Sequence, residues 1–429
     1  MGRNLLAALL IVAAGCGGRD DGKVRLEMWG LGREGEVVRE LIPGFERENP
    51  GITVQVQQIP WSAAHEKLLT AFVGDAVPDV AQIGNTWIPE LAELRALEAL
   101  DGHVAATAGY EPEDFFHGFW QAGVVDGQLW AVPWYVDTRV IFYRKDLLAA
   151  AGATEFPRTW SAWLELSGKL SEGGRRAILF PTDEWFQPVI LALGQDAELV
   201  AGGRHGAFRR PEVRLAWDYY LEYFRRGLAP AASLNQIANM YQQFAAGEFA
   251  MTVTGPWNVG EFGRRLPPEL EDAWDTAPMP APDGKPWPGA SLAGGASLAL
   301  FRGSKHPDEA WKLIAYLTRR DNLIKLNELC GDLPPRASAW KEAKLGERPH
   351  FAAFEAQLQA AKATPLLPEW ERIATLIGER LEASIRGRST LDQTLEKLDT
   401  EVDRILEKRR HLLDLRAAQK AEQNGKAGP

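Results

Sequence analysis

Large aromatic side chains recur beside short polar groups at points where predicted strands end. The chain has 16 tryptophans against 8 tyrosines, and a tryptophan ring is costly to leave in water. The aromatic residues at predicted strand exits or turns are Trp29, Trp61, Trp87, Trp134, Tyr135, Trp185, Trp257 and Trp287. An aromatic face can stack on the C–H face of a sugar while nearby carboxylates and amides bind its hydroxyls, so this pattern favours carbohydrate binding. Simple packing of loops or of a hinge would also explain some of these rings.

Carboxylates near predicted loop ends permit a second kind of chemistry. They are Glu34, Asp79, Asp137, Asp183 and Glu184. Two carboxyl groups about 5 to 9.5 Å apart across a glycosidic bond can hydrolyse it, so a secreted glycoside hydrolase is one alternative. The seven histidines are scattered and lack the spacing of metal ligands, so we predict no metal site.

A glycine-rich segment follows the first predicted strand. Gly30-Leu31-Gly32-Arg33-Glu34-Gly35 matches the dinucleotide-binding pattern G-x-G-x-x-G. That pattern needs an acid about 20 residues later to hold the ribose, and here the second strand ends in glutamines. We therefore predict no nucleotide cofactor, and expect Arg33 and Glu34 to lie at the mouth of a binding site where a helix begins.

The first residues resemble an export sequence that ends in a lipidated cysteine. An apolar run from Leu5 to Ala14 follows Arg3 and precedes Gly15-Cys16. It is too short to span a bilayer but fits a secretory leader. We predict a signal peptide at 1–15, lipidation of Cys16 and an anchored linker at 16–23, with an ordinary cleaved signal peptide as the alternative. The protein would then lie outside the cell membrane, attached to it through lipid alone.

Composition limits the function classes further. The chain has 429 residues, of which 45% are hydrophobic and 25% charged, and this is typical of a globular protein of two or three domains. A net charge of -10 without a Lys/Arg block excludes nucleic acid as a partner. If Cys16 carries lipid, Cys330 has no cysteine to pair with, so no disulfide is expected.

Hydrophobic periodicity predicts a β-α-β-α-β unit at the start of the mature chain. Apolar residues alternate from Val24 to Met28 and from Ile52 to Val56, with helical spacing between them. Such a unit implies a mostly parallel sheet with helices on both faces. Ligands of open α/β sheets bind beyond the carboxyl ends of the strands, which is where Trp29, Trp61 and Trp87 occur.

A second α/β unit is predicted from Leu129 onward. Thr159 should cap a helix, and residues 249–253 should form a strand that ends before Trp257. A Pro/Gly-rich stretch at 277–295 should cross between two lobes. A helix is also expected at 391–405 because leucines and other apolar residues recur there at 4-3-4-3 spacing.

Several motifs together resemble the extracellular solute-binding proteins of ABC sugar importers, and within them the maltose/trehalose binders. The motifs are Glu46-Arg47-Glu48-Asn49-Pro50-Gly51, Pro78-Asp79-Val80 ahead of Trp87, Pro133-Trp134-Tyr135-Val136-Asp137, Pro157-Arg158-Thr159-Trp160, Gly255-Pro256-Trp257 and Leu333-Pro334-Pro335-Arg336. They occur in the family's order and span nearly the whole mature chain.

The resemblance implies an α/β, two-lobed periplasmic-binding-protein (clamshell) fold. Each lobe would be a mostly parallel sheet flanked by helices and built from discontinuous segments. The expected N-terminal lobe is 24–132 and 294–335, the expected C-terminal lobe is 133–293 and 336–415, and 416–429 would be a flexible tail.

The resemblance also implies roles for individual residues. Glu34, Tyr135 and Asp137 would accept sugar hydroxyls, Trp257 would stack on a ring, and Arg336 would donate from the far side. The full set of expected ligand-binding residues is Arg33, Glu34, Trp61, Asn85, Trp87, Trp134, Tyr135, Asp137, Trp257, Trp287, Gly294, Gly295 and Arg336. Related sequences often have an aspartate where this chain has Asn85, and an amide donates as well as accepts, which changes the hydroxyls that the site can bind.

These observations lead to one expected function. The chain would capture a di- or oligosaccharide, an α-glucoside such as maltose or trehalose, by hinge closure and deliver it to the permease subunits of an ABC transporter. It would act as a monomer, without cofactor or catalysis. A binder of a phosphorylated polyol such as glycerol 3-phosphate is the other alternative, although acids in the cleft would repel an anion.

Overall fold

The computed structural model describes residues 22–233, 236–237 and 239–426. The expected signal peptide at 1–15 and the expected lipidation site Cys16 lie outside these residues. Within the described ranges, no helix is both long enough and apolar enough to cross a membrane.

Strands and helices alternate along most of the chain. In chain order, the strands are β1 (Val24–Leu31), β2 (Ile52–Ile59), β3 (Val80–Gly84), β4 (Val124–Val125), β5 (Gln128–Leu129), β6 (Val132–Asp137), β7 (Val140–Arg144), β8 (Arg176–Leu179), β9 (Val200–Ala201), β10 (His205–Gly206), β11 (Phe249–Thr254), β12 (Trp274–Ala277), β13 (Ser291–Leu292), β14 (Gly294–Leu300) and β15 (Ala361–Lys362). The α-helices are α1 (Gly32–Val37), α2 (Ile42–Glu48), α3 (Trp61–Val73), α4 (Ile88–Glu93), α5 (Asp101–Ala106), α6 (His117–Ala122), α7 (Lys145–Ala150), α8 (Trp160–Leu170), α9 (Phe186–Gly194), α10 (Pro211–Arg225), α11 (Met240–Ala246), α12 (Trp257–Arg265), α13 (Pro307–Leu317), α14 (Arg320–Cys330), α15 (Ala337–Glu342), α16 (Ala352–Leu358), α17 (Trp370–Ile385), α18 (Leu391–Ile405) and α19 (Glu407–Lys426).

Two of the sheets organise the molecule into two lobes. Five described strands form the first sheet in the order β2-β1-β3-β14-β6, and four form the second in the order β12-β7-β11-β8. The first sheet is packed between apolar clusters that include Phe45, Trp311 and Leu68. The second is covered by clusters that include Trp163, Trp217 and Phe262. The two-lobed α/β class expected from the sequence is confirmed.

Both sheets are mixed rather than mostly parallel, which corrects one detail of the expected fold. In the first sheet β1 is parallel to β2 and β3, but β14 runs antiparallel to β3 and β6. In the second, β11 is parallel to β8 and antiparallel to β7. The physical reason is that β14 enters the first sheet after the chain has returned from the second lobe, so no crossover helix fixes its direction.

The change of lobe occurs after Asp137, later than the expected boundary between 132 and 133. Strand β6 pairs with β14 over Val132–Asp137, so it belongs to the first sheet. Strand β7 then pairs with β11 and β12 in the second sheet. The link between β6 of the first sheet and β7 of the second therefore consists of Thr138 and Arg139. Both strands are apolar and buried, and hydrophobic periodicity alone does not distinguish their sheets.

Local sequence rules account for several helix ends. The Thr159 side chain accepts a hydrogen bond from the backbone N–H of Ala162 and caps α8, as the sequence predicts. Helix α18 begins with a capping box in which Thr390 and Gln393 satisfy each other's backbone N–H groups. The last helix, α19, continues through most of the stretch expected to be a flexible tail, as far as Lys426.

Candidate functional site

A cavity of about 600 Å³ lies between the two lobes. Side chains from both sheets line it: Arg33, Glu34, Trp61, Gly84, Asn85, Thr86, Trp87, Tyr135, Asp137, Arg139, Glu184, Trp185, Phe186, Pro256, Trp257, Leu292, Gly294, Gly295 and Asp332. Its size suits a small ligand of a few hundred daltons.

Strand direction explains why these residues converge. In the first lobe, the residues that follow the parallel strands β1, β2 and β3 line the cavity, together with the end of β6 and the start of the antiparallel β14. In the second lobe, the residues that follow β8 and β11 line it, together with Arg139 just before the antiparallel β7. The carboxyl edges of the two parallel strand sets therefore face each other across the cavity.

Glycines fix the position of Glu34. A Cβ on Gly35 would lie 2.4 Å from the Gly30 carbonyl oxygen, so α1 approaches β1 more closely than any other residue type allows. This contact places the Glu34 side chain, which is 8% exposed, at the cavity wall. The glycine motif therefore serves helix–strand packing at the cavity wall.

Acidic groups surround Tyr135 on the first-lobe side. Burial raises the pKa of Tyr135 well above its usual value, and the charges of Glu34, Asp332 and Asp137 raise it further. The Tyr135 hydroxyl therefore stays protonated and can both donate and accept a hydrogen bond. Such a group can bind a sugar hydroxyl in either direction.

Asp332 is a buried carboxyl group within this acidic cluster. Burial raises its pKa well above the usual value, and the charge of Glu34 adds to the rise. The Cys330 thiol donates a hydrogen bond to its Oδ2 at 3.1 Å. Because like charges in one site oppose ionisation, Asp332 can hold a proton where an ordinary aspartate would not.

Asp137 and Arg139 form an ion pair inside the cavity. The Arg139 Nη1 contacts both carboxylate oxygens of Asp137. Burial raises the pKa of Asp137, and the Arg139 guanidinium opposes part of that rise. The pair lies where the chain changes lobe, so it is positioned by the short link between β6 and β7.

Aromatic rings from both lobes complete the cavity wall. Trp61 and Trp87 meet edge to face at 5.7 Å in the first lobe, and the indole N–H of Trp61 lies 3.4 Å from Glu34. In the second lobe Trp257 begins α12 and remains 42% exposed. Trp185 and Phe186, at the start of α9, lie on the same wall. The cavity thus combines apolar faces with acids, as a sugar site requires.

Asn85 uses its amide to hold the sheet as well as to line the cavity. Its Nδ2 donates to the Gly294 carbonyl at 3.0 Å, and its Oδ1 accepts from Ser297 Oγ at 2.8 Å. Gly295 has φ +104°, and a Cβ there would lie 2.4 Å from the Tyr135 carbonyl oxygen. An aspartate at position 85 could not donate to the Gly294 carbonyl, so the asparagine matches the local pairing.

Three expected ligand-binding residues lie away from the cavity. Trp134 is fully buried in the first-lobe core, because strand alternation points it away from the face that carries Tyr135 and Asp137. Trp287 is 39% exposed in the loop before β13, and Arg158 stacks over it at 4.8 Å. Neither residue lines the cavity.

Arg336 is the third expected residue that does not reach the cavity. Its Nε donates to the Thr318 carbonyl at 2.8 Å, and its Nη1 contacts Asp114 at 3.2 Å. The guanidinium also lies 4.2 Å from the Phe115 ring. Position 336 pairs with Phe115 across an isolated bridge, which directs the side chain into the first lobe.

The other expected residues line the cavity, and the structure adds residues that sequence reasoning left out. Lining residues that were expected are Arg33, Glu34, Trp61, Asn85, Trp87, Tyr135, Asp137, Trp257, Gly294 and Gly295. The added ones with polar or aromatic side chains are Thr86, Arg139, Glu184, Trp185, Phe186 and Asp332. The sequence already indicates Glu184 as a carboxylate near a loop end and Trp185 as an aromatic residue at a turn. Asp332 comes directly before the Leu333-Pro334-Pro335-Arg336 motif, so a nearby pattern also points to it.

The charges of the cavity favour an uncharged ligand. Four carboxyl groups line it, from Glu34, Asp137, Glu184 and Asp332, against two guanidinium groups. Arg33 pairs outward with Glu36, and Arg139 pairs with Asp137. Among the described residues, no three His, Cys, Asp or Glu side chains are arranged to hold a metal ion.

A solved structure resembles this fold closely. The chain is 44% identical to the sugar-binding protein MalE from the phytopathogen Xanthomonas citri, with a TM-score of 0.87 over 91% of this chain and 99% of that one. It also shares the fold of the GacH receptor of Streptomyces glaucescens, at 22% identity and a TM-score of 0.77 over 90% of this chain and 99% of that one.

Sequence comparison points in the same direction. The chain is 28% identical over 419 residues to the diacetylchitobiose-binding protein DasA of Streptomyces coelicolor, covering 90% of this chain and 94% of that protein. These relatives are binding proteins and not enzymes, which confirms that expectation. The model of the bacterial extracellular solute-binding proteins matches residues 29–323. The chain therefore belongs to the family of bacterial extracellular solute-binding proteins.

Proposed function

We propose that this protein captures a di- or oligosaccharide, an α-glucoside of the maltose or trehalose type, for import by an ABC transporter. The observation that carries the proposal is the exposed Trp257 ring in the same cavity as Glu34, Tyr135 and Asp137. The ring offers a stacking face, and the polar groups offer hydrogen bonds in fixed directions. The similar MalE of Xanthomonas citri is named a sugar-binding protein, which supports the same ligand class.

The ligand is neutral. A phosphate would meet four carboxyl groups in the cavity wall. The two guanidinium groups there are already paired, Arg139 with Asp137 and Arg33 with Glu36. Repulsion in a partly desolvated site disfavours an anion strongly. Glycerol 3-phosphate is therefore the discriminating negative control.

Binding closes the two lobes, and the closed form delivers the sugar to the permease subunits. We assign residues 24–137 and 294–336 to one lobe, and 138–293 and 337–415 to the other, because β6 and β7 join different sheets and Arg336 bridges to Phe115. A ligand favours closure because it contacts rings and acids on both lobes only in the closed form. The protein acts as a monomer.

Membership of an extracellular family implies an exported protein. We propose that Cys16 carries the lipid that holds it at the membrane surface, facing the periplasm or the cell exterior. Metabolic labelling with a radioactive fatty acid tests this: the label should be present in the wild type and absent from Cys16→Ala. A labelled Cys16→Ala variant would contradict the assignment.

Isothermal titration calorimetry of the mature protein tests the ligand class. The panel is maltose, trehalose, maltotetraose and glycerol 3-phosphate, with free glucose measured after each run. We expect micromolar binding of at least one α-glucoside, which corresponds to about -8 kcal/mol. Binding of glycerol 3-phosphate alone would replace the proposal by the polyol-phosphate alternative, and release of glucose would replace it by a hydrolase.

A further inference from the structure

Arg139 occupies the space in front of two aromatic rings of the cavity. Its guanidinium carbon lies 4.6 Å from the centre of the Trp257 ring and 4.9 Å from the centre of the Phe186 ring. Both rings belong to the second lobe and line the cavity. A pyranose stacked on the covered face of either ring would need this same space. Trp257 is still 42% exposed, so the rest of its surface remains available to the sugar that the wild type binds.

Several contacts hold Arg139 in this position. Asp137 pairs with its Nη1, as described above. Its backbone is fixed by Ser291, whose Oγ accepts from the Arg139 N–H at 3.1 Å and donates to the Arg139 carbonyl at 2.7 Å. An ion pair, a cation–π stack and a fixed backbone act together, so a neutral sugar that gains only one stacked ring does not displace the side chain.

The Arg139 side chain also contains an unsatisfied group. Its Nε is buried and has no hydrogen-bond partner among the described residues. Buried donors normally have partners, and this one belongs to a residue that lines the cavity.

We propose that Arg139 closes a latent sugar subsite between Trp257 and Phe186 and so limits the length of the saccharide that this protein binds. The inference rests on the proposed carbohydrate function and makes Arg139 a specificity-determining residue. Removing the guanidinium would free one face of each ring, and together these faces would accept one further hexose unit. The wild-type protein would then prefer a short saccharide because the added unit of a longer one has no ring to stack on.

Calorimetry of maltose, maltotriose and maltotetraose with variants at position 139 tests this inference. Arg139→Ala vacates the space, whereas Arg139→Gln shortens the side chain and keeps an N–H donor for Asp137. We expect the affinity for maltotetraose relative to maltose to rise at least tenfold in Arg139→Ala and to rise less in Arg139→Gln. Arg158→Ala is the matched control, because it removes a guanidinium from over Trp287, outside the cavity, and should leave the ratio unchanged.

Two results would overturn the inference. One is an unchanged ratio in Arg139→Ala. The other is an equal loss of all three sugars in both Arg139 variants while both melt as cooperatively as the wild type, because Arg139 would then be a direct ligand donor. A wild-type protein that binds none of the panel sugars contradicts the proposed function itself, so the two failures are distinguishable.

Discussion

Two tryptophans of nearly equal exposure provide a direct test of the site. Trp257 is 42% exposed inside the cavity, and Trp287 is 39% exposed outside it. Trp257→Ala should lower sugar affinity about thirtyfold, or about 2 kcal/mol, as expected when an aromatic residue that anchors a ligand is truncated. Trp287→Ala should leave affinity within about twofold, measured by the same calorimetric titration. Equal losses in both variants would remove Trp257 from the site.

Asp332 should make folding stability depend on pH. Its folded pKa is raised, mainly by burial and then by the charge of Glu34, so the folded protein keeps a proton that the unfolded chain loses near pH 4. Stability therefore falls as pH rises from that point to the raised pKa. Asp332→Asn removes this loss. The free energy of unfolding of the variant, relative to that of the wild type, should therefore rise by up to about 1.4 kcal/mol per pH unit between pH 4 and the raised pKa of Asp332.

Thermal melts of both proteins from pH 4.5 to 8 measure that difference. Subtracting the two curves cancels the titrating groups that do not interact with Asp332, whereas the contribution of Asp137, whose charge acts on Asp332, stays within the measured difference. A constant difference across the pH range would show that Asp332 ionises at an ordinary pH.

The types of residue at the site were predictable from the sequence, whereas the direction in which each side chain points was not. Trp134 and Tyr135 are adjacent and both follow Pro133. Trp134 nevertheless fills the core, whereas Tyr135 lines the cavity. The face that each presents depends on which sheet β6 joins, and this is a long-range property. Arg336 was misassigned for the same reason, since its bridge to Phe115 spans more than two hundred residues.

Among the structural elements, the contact between β1 and α1 leaves no room for one added methyl group. Gly35→Ala places a Cβ against the Gly30 carbonyl, so we expect a loss of about 1–3 kcal/mol in stability and weaker sugar binding as Glu34 moves. Gly51→Ala is the control, because a Cβ there has no heavy atom within 4 Å. Its stability should change by less than about 0.5 kcal/mol. Chemical denaturation and calorimetry measure both effects, and a neutral Gly35→Ala would contradict the packing argument.

Element types were predicted better than element partners. Strands at β1, β2 and β11, the cap at Thr159 and helix α18 follow from local periodicity and capping rules. The antiparallel β14 and the late change of lobe at Thr138 do not, because β6 and β7 join different sheets although both are apolar and buried. The strands that pair in a sheet depend on which buried faces pack together in the folded chain. The local sequence of a strand does not indicate this.

For the whole molecule, ligand binding should appear as added thermal stability. A ligand that binds only the folded state stabilises it by about 2.7 kcal/mol at one hundred times its dissociation constant. Maltose at that concentration should raise the melting temperature in differential scanning calorimetry, and the same concentration of glycerol 3-phosphate should not. Trp257→Ala should reduce the stabilisation to about 0.9 kcal/mol, because a thirtyfold weaker affinity leaves maltose at only about three times its dissociation constant. An equal shift with both compounds would indicate non-specific binding.

The central place of β14 in the first sheet has a consequence for folding. This strand lies between β3 and β6, yet it comes from residues Gly294–Leu300. The leading third of the chain therefore cannot complete its own hydrophobic core, because its missing partner emerges about 160 residues after β6. Until β14 is available, β3 and β6 have no strand to join them, so the first sheet is incomplete. We therefore expect the first lobe to reach its final fold only after the strand at Gly294–Leu300 is present.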